Sequence, residues 1–435
     1  MKVVIMAGGK GTRIASIKND VPKPMIKVCG KPILQHQIEN LKRYNLTDIT
    51  LVIGHLGHII KDYFGDGSKF GVKIEYFVED SPLGTAGALF KMPQLQDDFI
   101  LMCGDLICDV DFNRFIQFHK AHHAWASLLT HPNAHPYDSS LIVTKQVMPE
   151  YSGLMPIDTK EVIQWVNKED YRGYIKNRVN AGIQIISPKL LEATMHTYVP
   201  RHADNPDKID LDRDVLKPNI PSGKLYAYDT TEYVKDMGTP DRYYEVEKDI
   251  KSGKVAARNL SNKQKAIFLD RDGTINKQIG FLKSTNEFIL IDGAAEAIKK
   301  INQSGYLAVV VTNQPVIARG ECTFEELQTI HNKMETLLGN EGAFIDGLYI
   351  CPHHTDKGFE GERLEYKFNC ECRKPKPGLL YQAAEELNID LKLSYMIGDS
   401  NNDIKAGENA NCKGTYLVNN NKTNALLNVI KKIIE

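Results

Sequence analysis

Phe268-Leu269-Asp270-Arg271-Asp272-Gly273-Thr274-Ile275-Asn276 joins an apolar run to two carboxylates. Ala266–Leu269 is apolar throughout and predicts a buried strand. Asp270 and Asp272 follow at i and i+2, a spacing that points both side chains the same way off the strand end. Gly273 permits the sharp turn that keeps them at the sheet edge. Two acids so placed can hold a divalent cation while one attacks a phosphoryl group and the other moves a proton. An Asp-x-Asp after a strand is also an ordinary solvated turn, so the flanking sequence has to decide between the two.

Three further pieces follow in order. Tyr306–Val311 predicts a second buried strand, ending at Thr312-Asn313-Gln314, and a hydroxyl at a strand end can bind a transferring phosphoryl group. Arg373-Lys374-Pro375-Lys376-Pro377-Gly378 sets cations on a stiff turn, where Lys374 can neutralise a phosphoryl transition state. Met396-Ile397-Gly398 predicts a third strand, followed by Asp399 and Asp403 at i and i+4. Between them, Cys351, His353, Cys370 and Cys372 supply three thiolates and an imidazole, the donor set of a closed tetrahedral zinc site. That site abuts Arg373 and Lys374, so its expected role is to fix their loop, with His354 a spare.

DxDGT, strand-Thr, Lys-Pro and GDxxxD in this order resemble the haloacid dehalogenase phosphatases, which implies a Rossmannoid parallel-sheet fold. The resemblance makes Asp270 the nucleophile and Asp272 the acid and base. It puts Mg²⁺ on Asp270, Asp399 and the backbone carbonyl of Asp272, with Asp403 supporting and Thr312 and Lys374 on the phosphate. The zinc loop, with Asn313-Gln314 and Ala318-Arg319-Gly320, is similar to the heptose 1,7-bisphosphate 7-phosphatases. That implies Asn313, Arg319, Arg373 and Lys374 as substrate-binding residues. Histidinol-phosphate phosphatases share the loop, and Pro315-Val316 stand here where the heptose family has Ser-Gly.

In the first half, a short apolar strand (Val3–Met6) runs into Gly8-Gly9-Lys10-Gly11-Thr12-Arg13. This is not the dinucleotide fingerprint, but its backbone amides can face phosphates, with cations beside them. Val21-Pro22-Lys23-Pro24-Met25 is a stiff turn carrying one lysine. Strand, GGxGTR and PKPM together resemble the sugar-1-phosphate nucleotidylyltransferases, with a Rossmann-like core over residues 1 to about 245. The resemblance places Gly8, Gly9, Gly11, Thr12, Arg13 and Lys23 on nucleotide phosphates, with Arg13 and Lys23 catalytic. Gly84 and Thr85, in Leu83–Ala88, fall on base and sugar, and Asn180 on the sugar. Asp105 and Asp236 become the two Mg²⁺ carboxylates. Lys168 stands where the family has a lysine before its sugar loop, without the family's accompanying glutamate. His119, His122, His123, His131 and His135 include an i, i+4 pair, expected as an exposed helix end because no carboxylate completes a metal site.

The 435 residues are 42% hydrophobic and 25% charged, ordinary for globular protein with an ample core. A net charge of −1 argues against nucleic-acid or membrane-surface partners. No apolar run approaches a membrane span, and Val3–Ala7 is too short for a signal peptide, so a cytoplasmic location is expected. The expected organisation is α/β: a transferase domain at 1–246, a linker at 247–264 and a phosphatase domain at 265–435. Together the resemblances imply one enzyme that removes the 7-phosphate from a heptose 1,7-bisphosphate and passes GMP from GTP to the heptose 1-phosphate. Its cofactors are Mg²⁺ in both domains and structural Zn²⁺ in the second. Its partners are a nucleoside triphosphate and sugar phosphates, and a homo-oligomer is compatible. The alternatives are a hexose-1-phosphate nucleotidylyltransferase fused to another phosphatase, or a sugar-phosphate-binding protein with a dead domain.

Overall fold

The computed structural model describes residues 1–9, 21–150, 153–419 and 422–435. It divides into two compact units. The first comprises Met1–His131, Lys160–Trp165 and Asn180–Asn259, and the second Pro132–Thr159, Val166–Val179 and Leu260–Glu435. No helix among the described residues is long and apolar enough to cross a membrane.

The first unit is built on a mixed sheet whose strands run in the order Lys73–Val78, Asp48–Ile53, Val3–Met6, Phe99–Cys103, Val179–Ile186, Ala126–His131, Leu225–Asp229 and Ile157–Val166. Val3–Met6 lies parallel between Asp48–Ile53 and Phe99–Cys103. It is buried on both faces, which is why it reads as an unbroken apolar run. A separate antiparallel pair, Leu106–Asp109 with Tyr233–Asp236, sets Asp236 opposite Leu106. The amide of Met237 also donates to the carbonyl of Asp105 at 2.9 Å. Two acids 131 positions apart thus arrive at one sheet end by strand pairing.

The chain passes from the first unit to the second at Asn259 and Leu260, within the expected linker at 247–264, and that stretch carries structure of its own. The helix Pro240–Lys251 runs into it, and a short helix spans Lys254–Ala257. Asn259 is fully buried and donates to Asp109 Oδ1 at 2.6 Å and Tyr44 Oη at 2.9 Å. Polar residues packed through hydrogen bonds leave no apolar period to read. The histidine cluster departs from expectation. His119, on the helix Phe112–His122, is buried rather than exposed, with Nδ1 2.9 Å from Ser127 Oγ and Nε2 3.3 Å from Asp98 Oδ2. His123 lies beyond the helix as its left-handed C-cap, so the pair shares no helix face.

The second unit has a five-stranded parallel sheet, ordered Gly347–Cys351, Tyr306–Asn313, Lys265–Leu269, Tyr395–Gly398, Gly414–Leu417. Alternate residues feed two cores. Ile267, Leu269, Ala308 and Val310 pack on one face against the helices Ala294–Gln303, Phe324–Asn340 and Ala425–Ile434. Ala266, Phe268, Leu307, Val309 and Val311 pack on the other against Gly378–Glu386 and Asn401–Asn409. The sheet order makes Lys265–Leu269 central, so the carboxyl ends of three adjacent strands deliver Thr312, Asp270 and Asp399 to one edge, where α/β sheets bind ligands. Phe268 is fully buried at the centre of this sheet. Phe268→Ala is expected to cost about 3–5 kcal/mol, read as a lower urea midpoint for loss of phosphatase activity with little change in transferase activity.

Candidate active sites

A cleft of about 190 Å³ opens at that edge of the second unit, lined among others by Asp270, Asp272, Thr312, Arg373, Lys374 and Asp399. Gly273, at φ +78°, is required by close approach: a Cβ there would lie 1.9 Å from Asp399 Oδ2. Asp270, Asp399 and Asp403 each offer a carboxylate oxygen, all within 4.8 Å of one another. Three hard anionic oxygens so gathered fit Mg²⁺, which a backbone carbonyl, substrate oxygens and water would complete.

Lys374 is almost fully buried, and its ammonium meets Asp270 Oδ1 at 2.8 Å, Asp403 Oδ1 at 2.5 Å and the Val311 carbonyl at 2.8 Å. Burial opposes its charge, and the two carboxylates outweigh that and raise its pKa. Burial pushes the Asp270 carboxyl up to about 6, against the pull of Lys374. Asp272 goes the other way: burial is outweighed by the Arg271 guanidinium and by hydrogen bonds from Asn276 and Gln314, which hold it below its ordinary value. Two acids separated by one residue thus sit in opposite electrostatic settings, Asp270 against buried carboxylates and Lys374, and Asp272 against a guanidinium and two amide donors. Asp403 also accepts from the Ser400 hydroxyl at 2.6 Å and amide at 3.0 Å, which fixes it behind Lys374.

Asn313 exchanges two backbone hydrogen bonds with Lys374, at 3.1 and 3.0 Å, so its amide is spent on holding the lysine loop. Arg319 is not among the cleft-lining residues. Its guanidinium lies between the rings of Phe281 and Phe359, 4.3 and 3.8 Å from their centroids, and pairs with Glu321 at 2.6 Å. It reaches the cleft only through Phe281, which lines it. Cation–π stacking competes for a guanidinium that spacing alone assigns to substrate.

Cys351, His353, Cys370 and Cys372 converge, with S···S separations of 3.2–3.5 Å and N···S separations of 3.2 and 3.7 Å. Tetrahedral zinc at ~2.3 Å from sulfur gives edges of about 3.8 Å, so the donor set fits that ion after a small expansion. The hydrogen bond shared with Cys351, with help from His353 and against burial, lowers the pKa of the Cys372 thiol, the direction that favours a metal-ligating thiolate. The remaining His353 nitrogen, Nε2, lies 3.4 Å from the Gly153 carbonyl, which orients the ring. Arg373 Nη1 donates to the His353 carbonyl at 3.0 Å and ties the cluster to the cationic turn.

In the first unit, Lys23 pairs with Asp105, and Arg242 with Asp236. Burial of Asp236 is outweighed by Arg242 and by the charge of Lys23, which lowers its pKa and marks the two pairs as neighbours. Gly11, Thr12 and Arg13 lie outside the described residues, whereas Gly8 and Gly9 begin the loop. Gly84, at φ +81°, bridges Ile209, and a Cβ there would meet that carbonyl at 2.4 Å. The Thr85 hydroxyl accepts from the Leu211 amide at 2.7 Å. Asn180 accepts from Gln184 at 2.9 Å. Lys168 falls in the second unit, exposed and 3.9 Å from Glu169.

Glu79 was missed by sequence reasoning. It follows the strand Lys73–Val78 against the glycine loop, where a Cβ on Gly8 would meet Glu79 Oε2 at 2.8 Å. Among the described residues its Oε1 is buried without a hydrogen-bond partner, and burial raises its pKa. Glu79 stands directly after a strand whose residues are mostly half-exposed.

For the thiol–imidazole cluster, metal analysis of the purified full-length chain is expected to find about one zinc per molecule. Cys372→Ser is expected to lose it, and with it most phosphatase activity, while nucleotidyl transfer persists.

The nucleotidyl transferase family matches residues 2–253, and the HAD-hydrolase-like family matches residues 371–429. Over 160 residues, the chain is 46% identical to the D-glycero-beta-D-manno-heptose-1,7-bisphosphate 7-phosphatase of Pasteurella multocida, covering 37% of this chain and 84% of that protein. Identity to the Yersinia pestis enzyme of the same name is 44% over 157 residues, or 36% and 81% of the two chains. Among solved structures, HddC from Yersinia pseudotuberculosis, complexed with GMP-PN, is 26% identical over 57% of this chain and 99% of its own, with a TM-score of 0.45. The chain belongs to the nucleotidyl transferase family through residues 2–253 and, through a second segment of 160 residues, to the D-glycero-beta-D-manno-heptose-1,7-bisphosphate 7-phosphatases.

Proposed function

We propose that this chain is a bifunctional enzyme of nucleotide-activated heptose synthesis. It hydrolyses the 7-phosphate of D-glycero-D-manno-heptose 1,7-bisphosphate, then joins the resulting heptose 1-phosphate to GMP from GTP with release of pyrophosphate. The observation that carries this is the pairing of families on one chain. A 7-phosphatase acting on a 1,7-bisphosphate leaves a sugar 1-phosphate, the acceptor that a sugar nucleotidyl transferase requires.

In the phosphatase, Asp270 Oδ attacks the phosphorus as the P–O bond to C7 breaks, and Asp272 gives its proton to the departing oxygen. The incoming phosphate's negative charge favours the protonated form of Asp272. Asp272 then takes a proton from water as the water oxygen attacks phosphorus and the Asp270–phosphorus bond breaks, releasing phosphate. Lys374 and the Thr312 hydroxyl hold the phosphoryl oxygens. Mg²⁺ on Asp270 and Asp399, with Asp403 behind, neutralises phosphoryl charge when bound.

In the transferase, the sugar phosphate oxygen attacks the α-phosphorus of GTP and pyrophosphate leaves, so alignment and charge neutralisation are the main tasks. Arrival of the triphosphate draws Lys23 and Arg242 towards phosphate, freeing Asp105 and Asp236 for Mg²⁺. Arg13 belongs to the same phosphate-binding loop. Glu79 supports guanine: adjacent N–H donors on the Watson–Crick edge of that base suit a buried carboxylate with an unused oxygen. Adenine and uracil present acceptors within the same edge. We place the enzyme in the cytoplasm, where nucleoside triphosphates are available.

A coupled assay with Mg²⁺, both anomers of the bisphosphate and each nucleoside triphosphate in turn tests the scheme. GDP-heptose, phosphate and pyrophosphate are expected from the α anomer, although the relatives are named for the β. Phosphate alone would sink the transferase half. Asp270→Asn is expected to lower phosphate release by at least about 10³-fold, with GDP-heptose formation from supplied heptose 1-phosphate preserved. Loss of both activities in a folded Asp270→Asn protein would overturn the separation of sites. Glu79→Gln is expected to reduce the preference for GTP over ATP and UTP by about 10- to 100-fold, measured as the ratio of kcat/KM values; an unchanged ratio would remove Glu79 from base recognition.

A further inference from the structure

Arg271, the middle residue of Asp-Arg-Asp, has no part in the chemistry above, yet among the described residues it is the bulkiest fully buried side chain. A buried guanidinium is costly unless its donors are met. Nε and Nη2 donate to Asp272 Oδ1 at 3.2 and 2.9 Å, and Nη2 also to Asp272 Oδ2 at 2.8 Å. Nη2 further meets Gln314 Oε1 at 3.0 Å. Nη1 points the opposite way, 2.9 Å from Nε2 of His331 on the helix Phe324–Asn340. A guanidinium only donates, so Nε2 of His331 is the acceptor and the ring is neutral, with its proton on Nδ1. Gln314 closes the array, its Nε2 donating to Asp272 Oδ2 at 2.8 Å and to Thr312 Oγ1 at 2.9 Å.

We propose that His331 and Arg271 are positioning residues of the phosphatase, a buried chain that holds both oxygens of Asp272 in the orientation needed to hand a proton to the leaving oxygen. Gln314 links the same carboxylate to Thr312, so the proton donor and the phosphate-holding hydroxyl move as one unit. A guanidinium tied to packing alone needs no acceptor shared with a cleft carboxylate. Here every donor on one side of it ends on Asp272 or on the residue that bridges Asp272 to Thr312, and His331 anchors the other side to a helix of the core. The inference rests on the reading of Asp272 as proton donor.

The test uses the full-length protein and two esters: heptose 1,7-bisphosphate, whose leaving oxygen needs a proton, and 4-nitrophenyl phosphate, whose leaving oxygen does not. Asp272→Asn, measured alongside, should depress turnover of the sugar ester far more than that of the aryl ester. His331→Leu should lower kcat on the sugar ester by about 10-fold or more, with KM changed by less than about twofold, and lower the aryl ester less. His331→Gln, whose amide oxygen can accept the same N–H, should recover most of the loss. Arg271→Lys, which keeps the charge and loses the fork, should behave as His331→Leu does and serves if that variant does not fold. A His331→Leu or Arg271→Lys protein with the wild-type ratio of the two turnovers, beside an Asp272→Asn protein with an altered ratio, overturns the positioning chain. An unaltered ratio in Asp272→Asn overturns the proton-donor role itself, and the inference with it.

Discussion

The ammonium of Lys374 is the charge on which the phosphatase site depends. It is almost fully buried, shared between Asp270 and Asp403 and capped by the Val311 carbonyl. A buried cation without partners would be several kcal/mol unfavourable, and so would Asp403, nearly as buried, without its ammonium. Each therefore obliges the other, and the loop bearing Lys374 can adopt only positions in which both are satisfied. Asn313 clamps that loop from the neighbouring strand, and Cys372, two residues before Lys374, anchors it to the thiol–imidazole cluster.

That arrangement needs a sheet that does not yield. Lys265–Leu269 is flanked on both sides by parallel strands and buried on both faces by two separate apolar cores. The acids sit where this rigid backbone stops, so their separation is set by strand spacing rather than by loop conformation. Behind the reacting edge lies a second polar tier, in which Arg271, Gln314 and His331 occupy fully buried positions with their hydrogen bonds met. In the first unit the same economy of means recurs: the pairing of Leu106–Asp109 with Tyr233–Asp236 brings Asp105 and Asp236 together from distant sequence.

Much of this was legible along the chain. Strands buried on both faces appear as unbroken apolar runs, and acids or hydroxyls directly after them mark the functional edge. That is how Asp270, Thr312 and Asp399 could be picked out, and the thiol and imidazole spacing did the same for a cluster that could hold a metal. The failures are as physical. His119 looked like part of a solvated helix end because a histidine's neighbours in sequence do not reveal that Ser127 and Asp98 meet it from other elements. Within the linker at 247–264 the burial of Asn259 could not be read, because it is reached through hydrogen bonds and leaves no apolar period. Glu79 follows a half-exposed strand with no unbroken apolar run to draw attention to its end.

The amino-acid sequence by itself determined the strands that carry the phosphatase residues, the chemistry at their ends and a donor set suited to zinc, because each is encoded within a few residues by periodicity, side-chain type and spacing. Only the tertiary structure decided which charges meet. It turned Arg271 inward to His331, stacked Arg319 between Phe281 and Phe359, and gave Lys374 to Asp270 and Asp403. Those pairings depend on strand register and on burial across tens of residues. Burial converts a weak surface attraction into a requirement that every charge find its partner.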